Sequence, residues 1–280
     1  MKKSCTISST VAKNTKAVIV VSFGTTFDDA RIKDIGGIEN AIKNAFANRD
    51  FFSSNTSHIV MKRNAQKGVY IKDLATTLTN LKELCYTDIL VQPTHILHGE
   101  EYEKKVLETI AKFKNEFSRL VVGNPLISNK EDFSIVAAAL ATQFPLLQPG
   151  EGIILMGHGS PRDNNKSFGN TYNNLQKSFD AMKLPVIVGT VEEDDSPNIE
   201  AVLNVLAMRN YKTVHMYPLM VVAGDHAHND MYSSDEESWK TKIEKTGVKT
   251  RGYLVGIGRN PAIQSLYVQH AIIATSLKQL

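Results

Sequence analysis

The stretch Tyr217-Pro218-Leu219-Met220-Val221-Val222-Ala223-Gly224-Asp225-His226-Ala227-His228-Asn229-Asp230-Met231 decides how the rest of the chain is read. A short apolar strand ends at a proline and an apolar connection follows. Two imidazoles, two carboxylates and an amide then crowd into residues 225–230. An earlier stretch, Val91-Gln92-Pro93-Thr94-His95-Ile96-Leu97-His98-Gly99-Glu100-Glu101-Tyr102-Glu103, has the same layout. Setting Pro93 on Pro218 places Gly99 on Gly224, Glu100 on Asp225 and Glu101 on His226.

A second pair of stretches supports the repeat. Ala17-Val18-Ile19-Val20-Val21-Ser22-Phe23-Gly24-Thr25 matches Gly152-Ile153-Ile154-Leu155-Met156-Gly157-His158-Gly159-Ser160, with Phe23 on His158 and Gly24 on Gly159. The chain therefore reads as two related halves, and self-similarity of this kind governs the fold before any local signal does.

At 280 residues the chain exceeds what one compact core usually serves, so two medium domains are expected. A hydrophobic content of 42% with 22% charged residues is ordinary for a globular protein. The formal net charge of +3 is mild and dispersed, which gives no support to nucleic-acid binding. Two cysteines, Cys5 and Cys85, are too few for a disulfide framework or a cysteine metal motif, so a reducing, cytoplasmic setting is expected. Residues 1–15 are polar and read as a flexible tail without the apolar segment of a signal peptide. No run reaches the roughly 18 apolar residues a spanning helix needs, so no membrane partner is expected.

Strand-like apolar runs fall near 17–22, 57–61, 87–92 and 118–122, separated by segments of helical period at 29–48, 71–84 and 101–117. Helix 130–143 and Pro149-Gly150 lead into the second half, where strands are expected near 152–156, 186–190, 213–217 and 251–255. Helices are expected there near 167–182, 198–209, 234–246 and 261–277. Strands alternating with helices imply an α/β fold: two similar lobes, each a four-stranded parallel sheet flanked by helices. The lobes are expected to span 16–128 and 129–260. Open sheets of this kind bind ligands beyond the carboxyl ends of their strands. Residues 22–26, 95–101, 157–160 and 224–226 all follow strand ends, and two such rims face to face make a cleft.

His158 stands on a glycine-flanked turn, where the backbone bends tightly and brings the ring close to a ligand. His226 and His228 are two residues apart, so they share a face on extended backbone and diverge on a helix, and only one is expected to face the cleft. His226 is the better choice, because its repeat mate is Glu101 and related loops bring an imidazole and a carboxylate together. Asp225 reads as a helix cap, and Glu100 and Glu103 as first-turn acids. His95 and His98 lie close by with a weaker claim. The surviving set is His158, His226 and Glu101. Two imidazoles and a carboxylate leave positions open on a divalent first-row ion, as suits a metal that must arrive and leave. A serine hydrolase fits worse, since a histidine stands where a nucleophile elbow needs serine and no Gly-x-Ser-x-Gly occurs. Gly256-Ile257-Gly258-Arg259-Asn260-Pro261 is a broken dinucleotide fingerprint.

At these residues the chain resembles the class II tetrapyrrole chelatases, and within them the anaerobic cobaltochelatases of cobalamin biosynthesis. The matching pieces are Val20-Val21-Ser22-Phe23-Gly24-Thr25, His95-Ile96-x-x-Gly99-x-Glu101-Tyr102-Glu103, Met156-Gly157-His158-Gly159, Pro218-Leu219-Met220-x-Val222-Ala223-Gly224-Asp225-His226-Ala227-x-Asn229-Asp230-Met231 and Ser238-Trp239-Lys240. The polar tail and His98 depart from the family pattern. The resemblance implies a two-lobed chelatase fold with pseudo-twofold symmetry, whose last helix, 261–280, crosses back onto the first lobe. It also implies that two histidines and a glutamate, here His158, His226 and Glu101, hold the incoming metal.

The activity implied is insertion of a divalent metal, foremost Co²⁺, into sirohydrochlorin or a related free-base tetrapyrrole. The metal is a substrate, and no nucleotide cofactor is expected. Ni²⁺, Fe²⁺ and Zn²⁺ suit the same donors. His158 and Glu101 are the expected catalytic groups, with Glu101 accepting or relaying a proton. Phe23 is expected as a wall of the macrocycle site, and Ser22, Thr25 and Ser160 as donors to its carboxylates. A carrier that binds metal or haem without turnover uses the same residues and stays open as a reading, as does a homo-oligomeric state.

Overall fold

The computed structural model describes residues 15–159, 171–193 and 195–276. Most of the expected tail, Ser160 and the start of the helix expected from 167 lie outside the described residues. Two four-stranded sheets form the frame, in strand order β2-β1-β3-β4 and β6-β5-β7-β8. The first contains β1 (Lys16–Ser22), β2 (Asp50–Asn55), β3 (Asp88–Pro93) and β4 (Arg119–Val122). The second contains β5 (Glu151–Gly157), β6 (Val186–Thr190), β7 (Thr213–Leu219) and β8 (Lys249–Gly252). Every pairing is parallel.

The central strands carry continuous apolar runs because a parallel sheet with helices on both faces buries both sides of its middle strands. Ala17 to Val21 have no exposed surface. Their side chains alternate between two cores. Val18 and Val20 enter a cluster shared with Ile153, Leu155 and Leu219 of the second sheet, whereas Ala17, Ile19 and Val21 pack under the helix Leu74–Glu83 with Leu78 and Leu81. In β5, Ile154 and Met156 turn to a third cluster around Trp239. One continuous core therefore runs between the lobes, with a separate core on the outer face of each.

The repeat is visible in the hydrogen-bond register. Val21 lies opposite Pro93 and Met156 lies opposite Pro218. The glycine match pairs Val21 with Met156 and the proline match pairs Pro93 with Pro218, so two independent alignments meet in one strand register. The connections agree as well. Ser22 O accepts from Thr56 N as Gly157 O accepts from Val191 N, and His95 O accepts from Leu126 N as Met220 O accepts from Ile257 N, all at 2.9 Å.

Several sequence expectations are corrected. The strand expected at 57–61 is the start of the helix His58–Gln66, and the strand at that point of the fold is Asp50–Asn55. Ile59 and Val60 favour strands by propensity, but the Ser57 hydroxyl accepts from Val60 N at 3.3 Å and caps a helix there. The strand expected at 251–255 lies at Lys249–Gly252. The helices expected over 29–48 and 101–117 are each interrupted by a π-helical turn, Arg31–Ile35 and Glu103–Leu107, and a third such turn, Ala227–Met231, follows His226. A π turn adds a residue to the helical repeat, which apolar spacing does not reveal.

The last helix, Pro261–Ser276, packs on the helix Gly36–Ala45 and on β3, so it lies against the first lobe. The fully buried Tyr267 hydroxyl donates to Thr94 O at 2.8 Å, just beyond the end of β3. Arg119 also reaches Thr275 O.

Candidate metal centre

The carboxyl ends of β5 and β7 bring two histidines together. His158 leaves β5 immediately after Gly157, and the chain then turns through Gly159 at φ +104°, a left-handed conformation that side chains resist. Gly24, its repeat mate, holds φ +96°. The Gly159 N–H donates to the hydroxyl of the buried Tyr172 at 3.0 Å, which anchors the turn. Burial pushes the Tyr172 phenol up to about 12, so it stays neutral. His226 opens the π turn Ala227–Met231.

The two rings meet edge to face, with centroids 4.9 Å apart and planes at 87°. Each ring is held at Nδ1. His226 Nδ1 lies 2.6 Å from Asp230 Oδ2, and His158 Nδ1 lies 3.3 Å from Gly159 O. A carboxylate and a carbonyl only accept, so Nδ1 carries the proton in both neutral rings and Nε2 keeps its lone pair. His158 Nε2 lies 3.7 Å from Glu192 Oε1. Two ligands each about 2.1 Å from a tetrahedral ion stand roughly 3.4 Å apart, so this spacing suits a shared metal. The site is open: the His158 and His226 side chains are 56% and 38% exposed.

Glu101 sits in the short helix Glu100–Tyr102, at the position in the first lobe that His226 occupies in the second. Among the described residues, no group of three or more His, Cys, Asp or Glu side chains is gathered closely enough to hold a metal ion. His98 is tied to Glu103, Nε2 to Oε2 at 2.6 Å, with its ring edge on Tyr102. His95 is turned inward with both ring nitrogens buried and lacking a hydrogen-bond partner, and burial lowers it to about 4. His228 stacks on Phe27 across the lobes at 4.6 Å, and its Nδ1 lies 2.9 Å from Gly224 O. The Asp225 carboxylate accepts from the Asn229 side chain at 2.9 Å, which braces the loop beside His226.

In the turn after β1, the Ser22 and Thr25 side chains are buried, and Phe23 is the exposed member at 53%. The Thr25 hydroxyl accepts from Phe27 N at 3.2 Å and stands in van der Waals reach of the position a Gly224 side chain would take. The first-lobe turn thus closes against the loop that carries His226. Ser160, also expected here, lies outside the described residues.

Two residues that sequence reasoning passed over belong to this geometry. Glu192 follows β6 at its carboxyl end, within the acidic run Glu192-Glu193-Asp194-Asp195, and the strand-end rule applied to that run would have found it. Asp230 lies four residues after His226, the spacing that places two side chains on one helical face.

A cobalt chelatase family model, CbiK, matches residues 16–276. The chain belongs to the cobalt chelatase family. A sirohydrochlorin cobaltochelatase of Salmonella typhimurium is 36% identical over 256 residues, covering 91% of this chain and 94% of that protein. The sirohydrochlorin cobaltochelatase CbiKC of Nitratidesulfovibrio vulgaris is 31% identical over 193 residues, 68% of this chain and 66% of that protein. Among solved structures, SirB from Bacillus subtilis with Fe³⁺ matches the fold with a TM-score of 0.57 at 16% identity, over 92% of this chain and 95% of that one. In this cobalt chelatase the two lobes keep one topology, while the paired imidazoles occupy only the second.

Proposed function

We propose that the chain inserts Co²⁺ into sirohydrochlorin, or a closely related free-base tetrapyrrole, as a step of cobalamin biosynthesis. The observation that carries this reading is the pair His158 and His226, each held at Nδ1, with ring centroids 4.9 Å apart at an open rim. Two neutral imidazoles hold a divalent ion while leaving positions for the macrocycle nitrogens. The named activity of relatives with 36% and 31% identity supports the same choice.

Insertion exchanges two pyrrole N–H protons for one divalent ion. Both N–H bonds break, four nitrogens come to ligate the metal, and two protons must leave. His158 and His226 present the metal. Glu192, 3.7 Å from His158 Nε2, is a carboxylate that lowers the charge of the ion held beside it. Glu101, the repeat mate of His226, takes one of these protons from the macrocycle, and solvent water at the open rim takes the other. The exposed Phe23 ring supplies an apolar wall, and the buried Ser22 and Thr25 shape the turn that presents it. We assign Ser160, on its sequence position next to His158-Gly159, as a donor to the macrocycle's carboxylates.

The test is an anaerobic absorbance assay with Co²⁺ and sirohydrochlorin. Repeated turnover by the wild type is expected, with loss of insertion and retention of metal binding in Glu101→Gln. Stoichiometric retention of metal or macrocycle without turnover sinks the enzyme reading and leaves a carrier.

A further inference from the structure

The Gly256-Ile257-Gly258-Arg259 segment closes on a carboxylate from the other lobe. Asp34, in the first-lobe π turn Arg31–Ile35, has no exposed surface. Its Oδ2 accepts from Ala223 N at 3.0 Å and from Gly256 N at 3.2 Å, and its Oδ1 accepts from Arg259 Nε at 2.8 Å. Arg259 extends the contact to Asp29 through a second nitrogen at 2.9 Å. The apolar loop before His226 is thereby held on two sides. Met220 O and Val221 O accept from Ile257 N and Gly258 N, and Ala223 N is spent on Asp34. Glycine is needed at 256 because a Cβ there would stand 2.4 Å from Val221 O and 2.5 Å from Asp34 Oδ2.

A buried carboxylate with three donors is costly to leave unpaired, so the network has one arrangement that satisfies it. That arrangement fixes the backbone three residues ahead of His226. We infer that Asp34, locked by Arg259, is a positioning residue: it sets the height and direction of the Gly224-Asp225-His226 loop from the opposite lobe, and so the distance between His226 and His158. The inference rests on the proposed role of His226 as a ligand of the incoming metal. It assigns the first lobe a part in metal geometry although neither imidazole belongs to that lobe.

The experiment compares wild type with Asp34→Asn, Arg259→Gln and Arg259→Lys, reading the visible ligand-field bands of Co²⁺ bound to the protein and the initial rates against Co²⁺ at saturating sirohydrochlorin. An asparagine must turn its amino group toward either the two backbone N–H groups or the guanidinium, so a donor faces a donor. Asp34→Asn and Arg259→Gln are expected to shift the bands and to lower kcat/KM for Co²⁺ by roughly 10- to 100-fold, as misplacement of about 1 Å does. Arg259→Lys, which is 29% exposed at this position and keeps the charge, should recover most of it. Folded variants with wild-type bands and an unchanged KM for Co²⁺ overturn the inference, as does a loss of rate that only tracks the loss of folded protein. A wild type that shows neither Co²⁺ bands nor turnover overturns the His226 reading itself, and this inference with it.

Discussion

His158 and His226 stand ring to ring at 4.9 Å, one from the end of β5 and the other from the loop after β7. Replacing either by alanine removes one of two imidazole donors. The expected loss of Co²⁺ affinity exceeds the roughly 10- to 100-fold that follows loss of a supporting partner. Titration with Co²⁺, followed in the visible range, measures it, and insertion should fall to the uncatalysed rate in both variants.

Asp230 orients His226 through Nδ1 at 2.6 Å. Asp230→Ala frees the ring and its tautomer, so Co²⁺ should bind about 10- to 100-fold more weakly with the fold intact. Asp230→Asn keeps an acceptor oxygen and should fall between this variant and the wild type. Equal affinity in all three proteins would remove Asp230 from the site.

Tyr267 ties the last helix to the first lobe at Thr94 O. Tyr267→Phe preserves the ring but deprives a buried carbonyl of its donor, at a cost of about 1–3 kcal/mol. Urea unfolding should show a lower midpoint with an unchanged slope.

His95 is neutral in the fold, because burial holds it near 4 against an ordinary value of 6.5. Between those values the unfolded chain binds a proton that the folded chain refuses. The stability His95 permits is therefore full above pH 6.5 and is lost as pH falls from 6.5 towards 4. The loss by pH 4 is on the order of 3 kcal/mol. His95→Met, which installs the residue found at the repeat position Met220, should flatten the part of the stability profile between pH 6.5 and 4.5. Denaturant midpoints of both proteins at pH 7 and 4.5 would show the difference.

The alternation of strands and helices was legible because the central strands carry continuous apolar runs, Ala17 to Val21 in β1 and Ile153 to Met156 in β5, and the repeat doubled every signal. His158 and His226 were legible because both follow strand ends in motifs dense in ligand chemistry. Asp50–Asn55 was not, since its Asp, two Ser and Asn residues suit an edge strand and a loop equally, while Ile59 and Val60 mislead by propensity. Glu192 was within reach of the strand-end rule, since it follows β6, but its pairing with His158 depends on the Gly159 turn and on the β5 to β6 register, which sequence spacing does not encode.

By itself the sequence determined the duplicated α/β architecture and the strand ends that carry the two imidazoles, since apolar periodicity and strand-end position are local properties. Only the tertiary structure decided that Asp230 and Glu192 attend those imidazoles, that Ser22 and Thr25 are buried, and that Asp34 closes on Gly256 and Arg259. The Asp34 contacts join residues more than 200 positions apart, and which carboxylate meets which donor there is settled by how two finished sheets pack, not by any neighbour in the chain.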